Sequence, residues 1–174
     1  TDALKKSITD SYGHEPGGSD SYARQVNSNH LKRLKGYMED AINKGARISH
    51  GGKMDDKTDF FEPTIVAGVS PDMRLMQEEI FGPILPIKTY RNFQEAIDFI
   101  NAGERPLALY IFSKNKKNIQ RVLTETRAGG TCINSSSMHF LNHNLPFGGV
   151  NNSGIGKSHG WFGFQDFSNA RGIY

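Results

Sequence analysis

From Ile84 to Asn134 the chain alternates short apolar runs with amphipathic ones, and this alternation constrains its fold more than any other feature. Ile84 to Tyr90, Leu107 to Phe112 and Thr131 to Asn134 predict strands. Between them, Asn92-Phe93-Gln94-Glu95 has the form of a capping box opening a helix that carries Ala96, Ile97 and Ile100. Ile119, Val122 and Leu123 form a second helical face. Strand-helix-strand-helix-strand with short loops implies right-handed crossovers, hence an α/β fold with a mostly parallel twisted sheet flanked by helices. From about Ser135 onward the expectation is a loop-rich segment, where ligand contacts concentrate.

Upstream, Thr1 or Asp2 caps a helix bearing Leu4 and Ile8, which His14 to Gly18 breaks. A clearer helix is capped by Ser28 or Asn29, repeats Leu31, Leu34, Met38, Ala41 and Ile42, and ends at Gly45; its apolar face requires a sheet to lie on. Two short strands are predicted around Ala46-Arg47-Ile48 and Phe61 to Val66, joined by a polar turn from Gly51 to Asp59. Pro63 suits an edge or a strand start.

At 174 residues the chain can bury a core of its own, and the expectation is a single catalytic-type domain over residues 1–174. A net charge of +3, from 21 basic and 18 acidic residues, gives no basis for nucleic-acid binding without a clustered basic face. No apolar stretch is long enough to span a membrane. The single Cys132 excludes an internal disulfide and fits a reducing, cytoplasmic setting.

Several motifs have plain readings. Gly156-Lys157-Ser158 looks like the end of a P-loop, but Asn151 stands where its first glycine belongs. Gly154-Ile155-Gly156 with Gly160 lacks the strand and acidic residue of a dinucleotide fingerprint. Gly148, Gly149 and Gly154 read as a tight, backbone-dense loop. His139 and His143 have no third ligand at convincing spacing, so no metal is expected. Cys132, within Gly130-Thr131-Cys132-Ile133-Asn134, reads as a small hydrophobe on a strand rather than a nucleophile.

Glu79 is the carboxylate to single out. It is either an ordinary solvated residue or a ligand for a ribose diol, since a carboxylate accepts from two hydroxyls and Gly82-Pro83 fixes the backbone after it. Phe81 would then pack against a flat ring.

Glu78-Glu79-Ile80-Phe81-Gly82-Pro83 and Leu145-Pro146-Phe147-Gly148-Gly149 with Asn152-Ser153-Gly154 occur in order, with Pro106-Leu107-Ala108-Leu109-Tyr110 and Gly129-Gly130 between them. Together they resemble the aldehyde dehydrogenase superfamily, over most of its catalytic domain. Met138-His139-Phe140 and Ser158-His159-Gly160 through Phe164 look like the branch acting on fatty, aromatic and coniferyl aldehydes, with coniferyl aldehyde dehydrogenase the nearest likeness.

The resemblance implies oxidation of an aldehyde to a carboxylic acid with NAD or NADP. A cysteine thiolate adds to the aldehyde, the thiohemiacetal yields hydride, and glutamate-activated water hydrolyses the thioester. It makes Glu79 and Phe81 cofactor-binding residues and places Ser137, Phe140, Leu141, Phe147 and His159 at the aldehyde. It also implies that the nucleophile, the glutamate base and the Rossmann domain have no counterpart in these residues. The 174-residue chain is therefore expected to be inactive alone, with no catalytic residue of its own. Its implied partners are the aldehyde, the remaining domains of a parent chain and further copies of itself. Asn151 and Ser158 depart from the branch pattern, the first in the loop and the second where an aromatic usually precedes His159. A non-enzymatic binding or assembly domain is the alternative reading.

Overall fold

Helix α1 (Asp2–Tyr12) follows Thr1, which occupies the N-cap without a side-chain capping bond, and ends at Gly13. The computed structural model describes residues 1–174, divided into two compact units, Thr1–Thr89 and Tyr90–Tyr174. In the first unit, helix α2 (Ser28–Asn43) supplies the largest buried face. Its cap is Asn27 rather than Ser28 or Asn29: the Asn27 Oδ1 accepts from the His30 amide at 3.0 Å, satisfying one of the four unpaired donors of a helix start. Leu31, Leu34, Tyr37, Met38 and Ala41 are buried, while Ile42, next along the chain, is 48% exposed and belongs to the outer face.

That buried face packs on a small mixed sheet, sharing one core with Phe61, Val66 and Ile84. Strands β1 (Arg47–His50), β2 (Met54–Asp55), β3 (Phe60–Phe61), β4 (Thr64–Ala67) and β5 (Ile84–Ile87) are all short. β4 is central, antiparallel to β1 and parallel to β5; β2 and β3 pair separately. Four strands thus replace the two expected between Ala46 and Val66. The polar turn folds back on itself through Met54 and Phe61, and Pro63, which has no N–H to donate, separates β3 from β4. Ser49 is left over where Ile48 pairs with Val66 and His50 with Ile65, a bulge next to Gly51. Gly51 has φ 73°, and a side chain there would overlap the Pro63 carbonyl. A single turn, α3 (Arg74–Gln77), precedes β5.

The second unit contains α4 (Phe93–Ala102), β6 (Ala108–Ile111), α5 (Lys116–Glu125) and β7 (Gly130–Ile133), with β6 and β7 parallel on either side of the α5 connection. Asn92 Oδ1 accepts from the Glu95 amide at 3.1 Å, but the Glu95 carboxylate reaches back to the Arg91 amide rather than that of Asn92. Asn115 caps α5 through the amides of Lys117 and Asn118. Past the strand ends, the Asn134 side chain acts as one more rung: its Oδ1 accepts from the Ser113 amide at 2.8 Å and its Nδ2 donates to the Ser113 carbonyl at 3.0 Å. Cys132 is buried in β7, as expected of a small hydrophobe on a strand.

The α/β class holds, with parallel pairs β4–β5 and β6–β7, but the strands lie in three small sheets rather than one mostly parallel sheet. The tail beyond Ser135 is loop-rich yet carries two short helices, α6 (Met138–Leu141) and α7 (Gly160–Asp166). No helix is long and apolar enough to cross a membrane.

Candidate functional site

Two neighbouring carboxylates meet different fates. The Glu78 carboxylate accepts from Arg74 Nε at 2.7 Å and from the Tyr37 hydroxyl at 2.9 Å. Those hydrogen bonds, Arg74's first, hold its carboxyl below the usual carboxylate range. The Glu79 side chain is exposed and spends its carboxylate on no hydrogen bond within the chain; only its backbone carbonyl is held. Phe81 is 74% exposed, with a φ of 45° that is uncommon for a bulky residue. Gly82 follows where a Cβ would come within 2.7 Å of the Leu34 side chain on α2, so a larger residue here would have to displace that buried leucine.

Arg33 on α2 is what keeps this loop in place. Its guanidinium donates to the carbonyls of Glu79, Ile80 and Phe81 at 3.1, 2.7 and 3.4 Å. It also donates to the Tyr37 hydroxyl at 2.9 Å and lies 5.0 Å from that ring's centroid, with Arg74 at 4.7 Å from the same ring. Sequence reasoning missed Arg33 and Tyr37. Their i,i+4 spacing on one helix was the available signal, but nothing in it pointed to residue 79.

In the second unit, Phe140, Phe147 and His159 touch one another. Phe140 meets Phe147 edge-on at 5.0 Å and His159 at 5.3 Å, while Phe147 and His159 stack at 5.3 Å. The stack is set by reciprocal bonds between Phe147 and Ser158, N–H to O at 3.0 Å one way and 2.7 Å the other. Ser137 starts α6 with φ 61° and receives the Phe140 and Leu141 amides on its carbonyl, and Leu141 closes the helix 60% exposed. The five residues expected at the aldehyde therefore lie on one short helix and the two facing arms of one loop. Glu79 and Phe81 belong to the first unit.

Beneath the aromatic group, the glycines pack as expected. Side chains at Gly148 and Gly149 would overlap the carbonyls of Gly156 and Ser153. Lys157, instead of reaching for phosphate, donates to the carbonyls of Gly129, Gly148 and Gly149 at 3.3, 2.7 and 3.1 Å, and its amide bonds Asp166 at 2.6 Å. A cavity of about 470 Å³ opens beside this knot, lined by Leu107, Phe147, Ile155, Lys157 and Phe167 among others. His139, buried at 7% exposure against Tyr110 and Phe147, has neither ring nitrogen hydrogen-bonded. The sequence offers Lys157 only as a false P-loop lysine, and its tie to three carbonyls is visible in the structure alone.

Residues 13–173 match the model of the aldehyde dehydrogenase family. The chain is 48% identical over 168 residues to mouse aldehyde dehydrogenase family 3 member A2, covering 97% of this chain and 34% of the mouse protein. It is 44% identical to the rat dimeric NADP-preferring aldehyde dehydrogenase, covering 97% of this chain and 36% of that one. Among solved structures, substrate-bound AldH of Staphylococcus aureus superposes with a TM-score of 0.89 at 43% identity, over 95% of this chain and 36% of that one. The chain thus spans about a third of the length of these relatives.

Proposed function

The chain belongs to the aldehyde dehydrogenase family, and from that premise we propose that the whole protein carrying it oxidises fatty, aromatic or coniferyl aldehydes to carboxylic acids with NAD or NADP. The observation that carries the reading is the contrast at residues 78 and 79: Glu78 is consumed by Arg74 and Tyr37, while Glu79 keeps its acceptors free beside the exposed ring of Phe81. A carboxylate with both oxygens unspent suits a ribose diol, and an exposed ring on a fixed backbone suits a flat heterocycle, so these residues fit a nicotinamide dinucleotide.

The bound cofactor supplies the hydride acceptor. Glu79 would accept from the nicotinamide-side ribose hydroxyls, and Phe81 would support the nicotinamide ring. Phe140, Phe147 and His159, with Ser137 and Leu141 on the same helix and loop, would offer the aldehyde a mostly aromatic surface, which favours substrates with a fatty or aromatic tail over small polar ones.

Self-association belongs to the same proposal. Trp161 and Phe164 on α7 stack at 5.2 Å yet are 64% and 62% exposed, and the rat relative is called dimeric.

The test is aldehyde-dependent NAD(P)H formation by the whole protein, with coniferyl and long-chain aldehydes. Glu79→Gln is expected to raise the KM for cofactor about ten-fold, and turnover indifferent to it rejects the site. The 174-residue chain alone, run beside Cys132→Ala, is expected to be silent in both forms; activity lost only in the variant makes Cys132 a nucleophile. A whole protein inert toward every aldehyde favours the non-enzymatic alternative.

A further inference from the structure

We infer that Arg33 is a positioning residue for cofactor binding, acting through the backbone of residues 79–81; the inference rests on the cofactor reading of Glu79 and Phe81. Its guanidinium meets the carbonyls of all three consecutive residues. A grip on carbonyls is indifferent to the side chains they carry but fixes which way those side chains face. With the carbonyls turned toward α2, Glu79 and Phe81 stand exposed and Ile80 between them packs against the core.

The grip is needed because the loop does not hold this shape unaided. Phe81 sits at φ 45°, a conformation costly for an aromatic residue unless its surroundings over-determine it. Arg33 is itself held rather than mobile, lying over the Tyr37 ring and donating to its hydroxyl, while that hydroxyl donates to Glu78. The planar guanidinium carries donors on two terminal nitrogens, and both are used on the loop. An ammonium is a point charge and cannot reproduce that fork.

The test compares Arg33→Lys, Arg33→Ala and Glu79→Gln in the whole protein. The readouts are the dissociation constants of NAD and NADP, the aldehyde KM and the melting temperature. Arg33→Lys is expected to weaken cofactor binding about ten-fold while leaving the aldehyde KM and the melting temperature close to wild type. If Arg33→Ala fails to fold, Arg33→Lys carries the comparison. Cofactor binding that weakens in Glu79→Gln but not in Arg33→Lys overturns the inference and leaves the site reading standing. A Glu79→Gln protein that binds cofactor normally removes that reading, and the inference with it. An Arg33→Lys loss spread equally over cofactor binding, aldehyde KM and melting temperature marks a purely structural residue and also overturns it.

Discussion

The Phe147 ring and the His159 imidazole lie nearly parallel, 17° apart in plane and 5.3 Å between centroids, one on each arm of the Phe147–Ser158 bridge. Each ring therefore fixes the other. Phe147→Leu is expected to cost about 1 kcal/mol of stability, the scale of a lost aromatic pair. In the whole protein it should raise the aldehyde KM several-fold with cofactor KM unchanged, as steady-state kinetics with coniferyl aldehyde would report.

Lys157→Met keeps the length of the side chain and removes the ammonium that ties the Gly129, Gly148 and Gly149 carbonyls. Three backbone acceptors lose a charged donor together, so urea unfolding should show a loss of about 1.5–3 kcal/mol. An unchanged midpoint would mean that water replaces the ammonium without loss.

Glycine substitutions should separate by backbone crowding. Gly149→Ala drives a Cβ into the Ser153 carbonyl and is expected to lose several kcal/mol or fail to accumulate. Gly18→Ala meets nothing within 4 Å and should leave the melting temperature within a degree or so.

Glu78 gives a pH dependence whose sign is fixed. Its folded pKa is lowered by the Arg74 and Tyr37 hydrogen bonds, so the ionised carboxylate stabilises the fold above its unfolded pKa. That contribution disappears as pH falls through the folded pKa. The stability gap between wild type and Glu78→Gln should accordingly be open at pH 7 and close in acid, measured by denaturant titration at each pH.

His139 is buried with both nitrogens unpartnered, so its polarity contributes no hydrogen bond to the fold. His139→Leu is expected to hold or raise the melting temperature, because an apolar side chain there removes a desolvation cost. A loss of more than about 2 kcal/mol of unfolding free energy, read by urea titration, would instead reveal a polar role for the imidazole.

What was legible in the sequence was periodicity. The buried face of α2, the α4 and α5 helices and the β6–β7 pair follow from apolar spacing and Asn caps, which are local properties. The β2–β3 hairpin escaped because each strand is only two residues long, with one wholly apolar pair, Met54 and Phe61, in a polar stretch too short to show alternation. Glu79 and Phe81 stood out by residue chemistry, as a carboxylate and a ring beside Gly82-Pro83, and took their expected role from family resemblance; the aromatic residues of the tail were reached through resemblance alone. Arg33, 46 residues before Glu79, and Lys157 act on carbonyls, which carry no residue identity and so leave no mark in a sequence.

The side-chain rung at Asn134 has a chemical corollary. Hydrolysis of that amide to a carboxylate would replace the Nδ2 donor with an oxygen facing the Ser113 carbonyl, turning the last rung of the β6–β7 ladder from attraction to repulsion. The loss would fall at the end of the β6–β7 pair that leads to α6, while the backbone bonds of the pair, including that from the Asn134 amide to the Ile111 carbonyl, would stay in place.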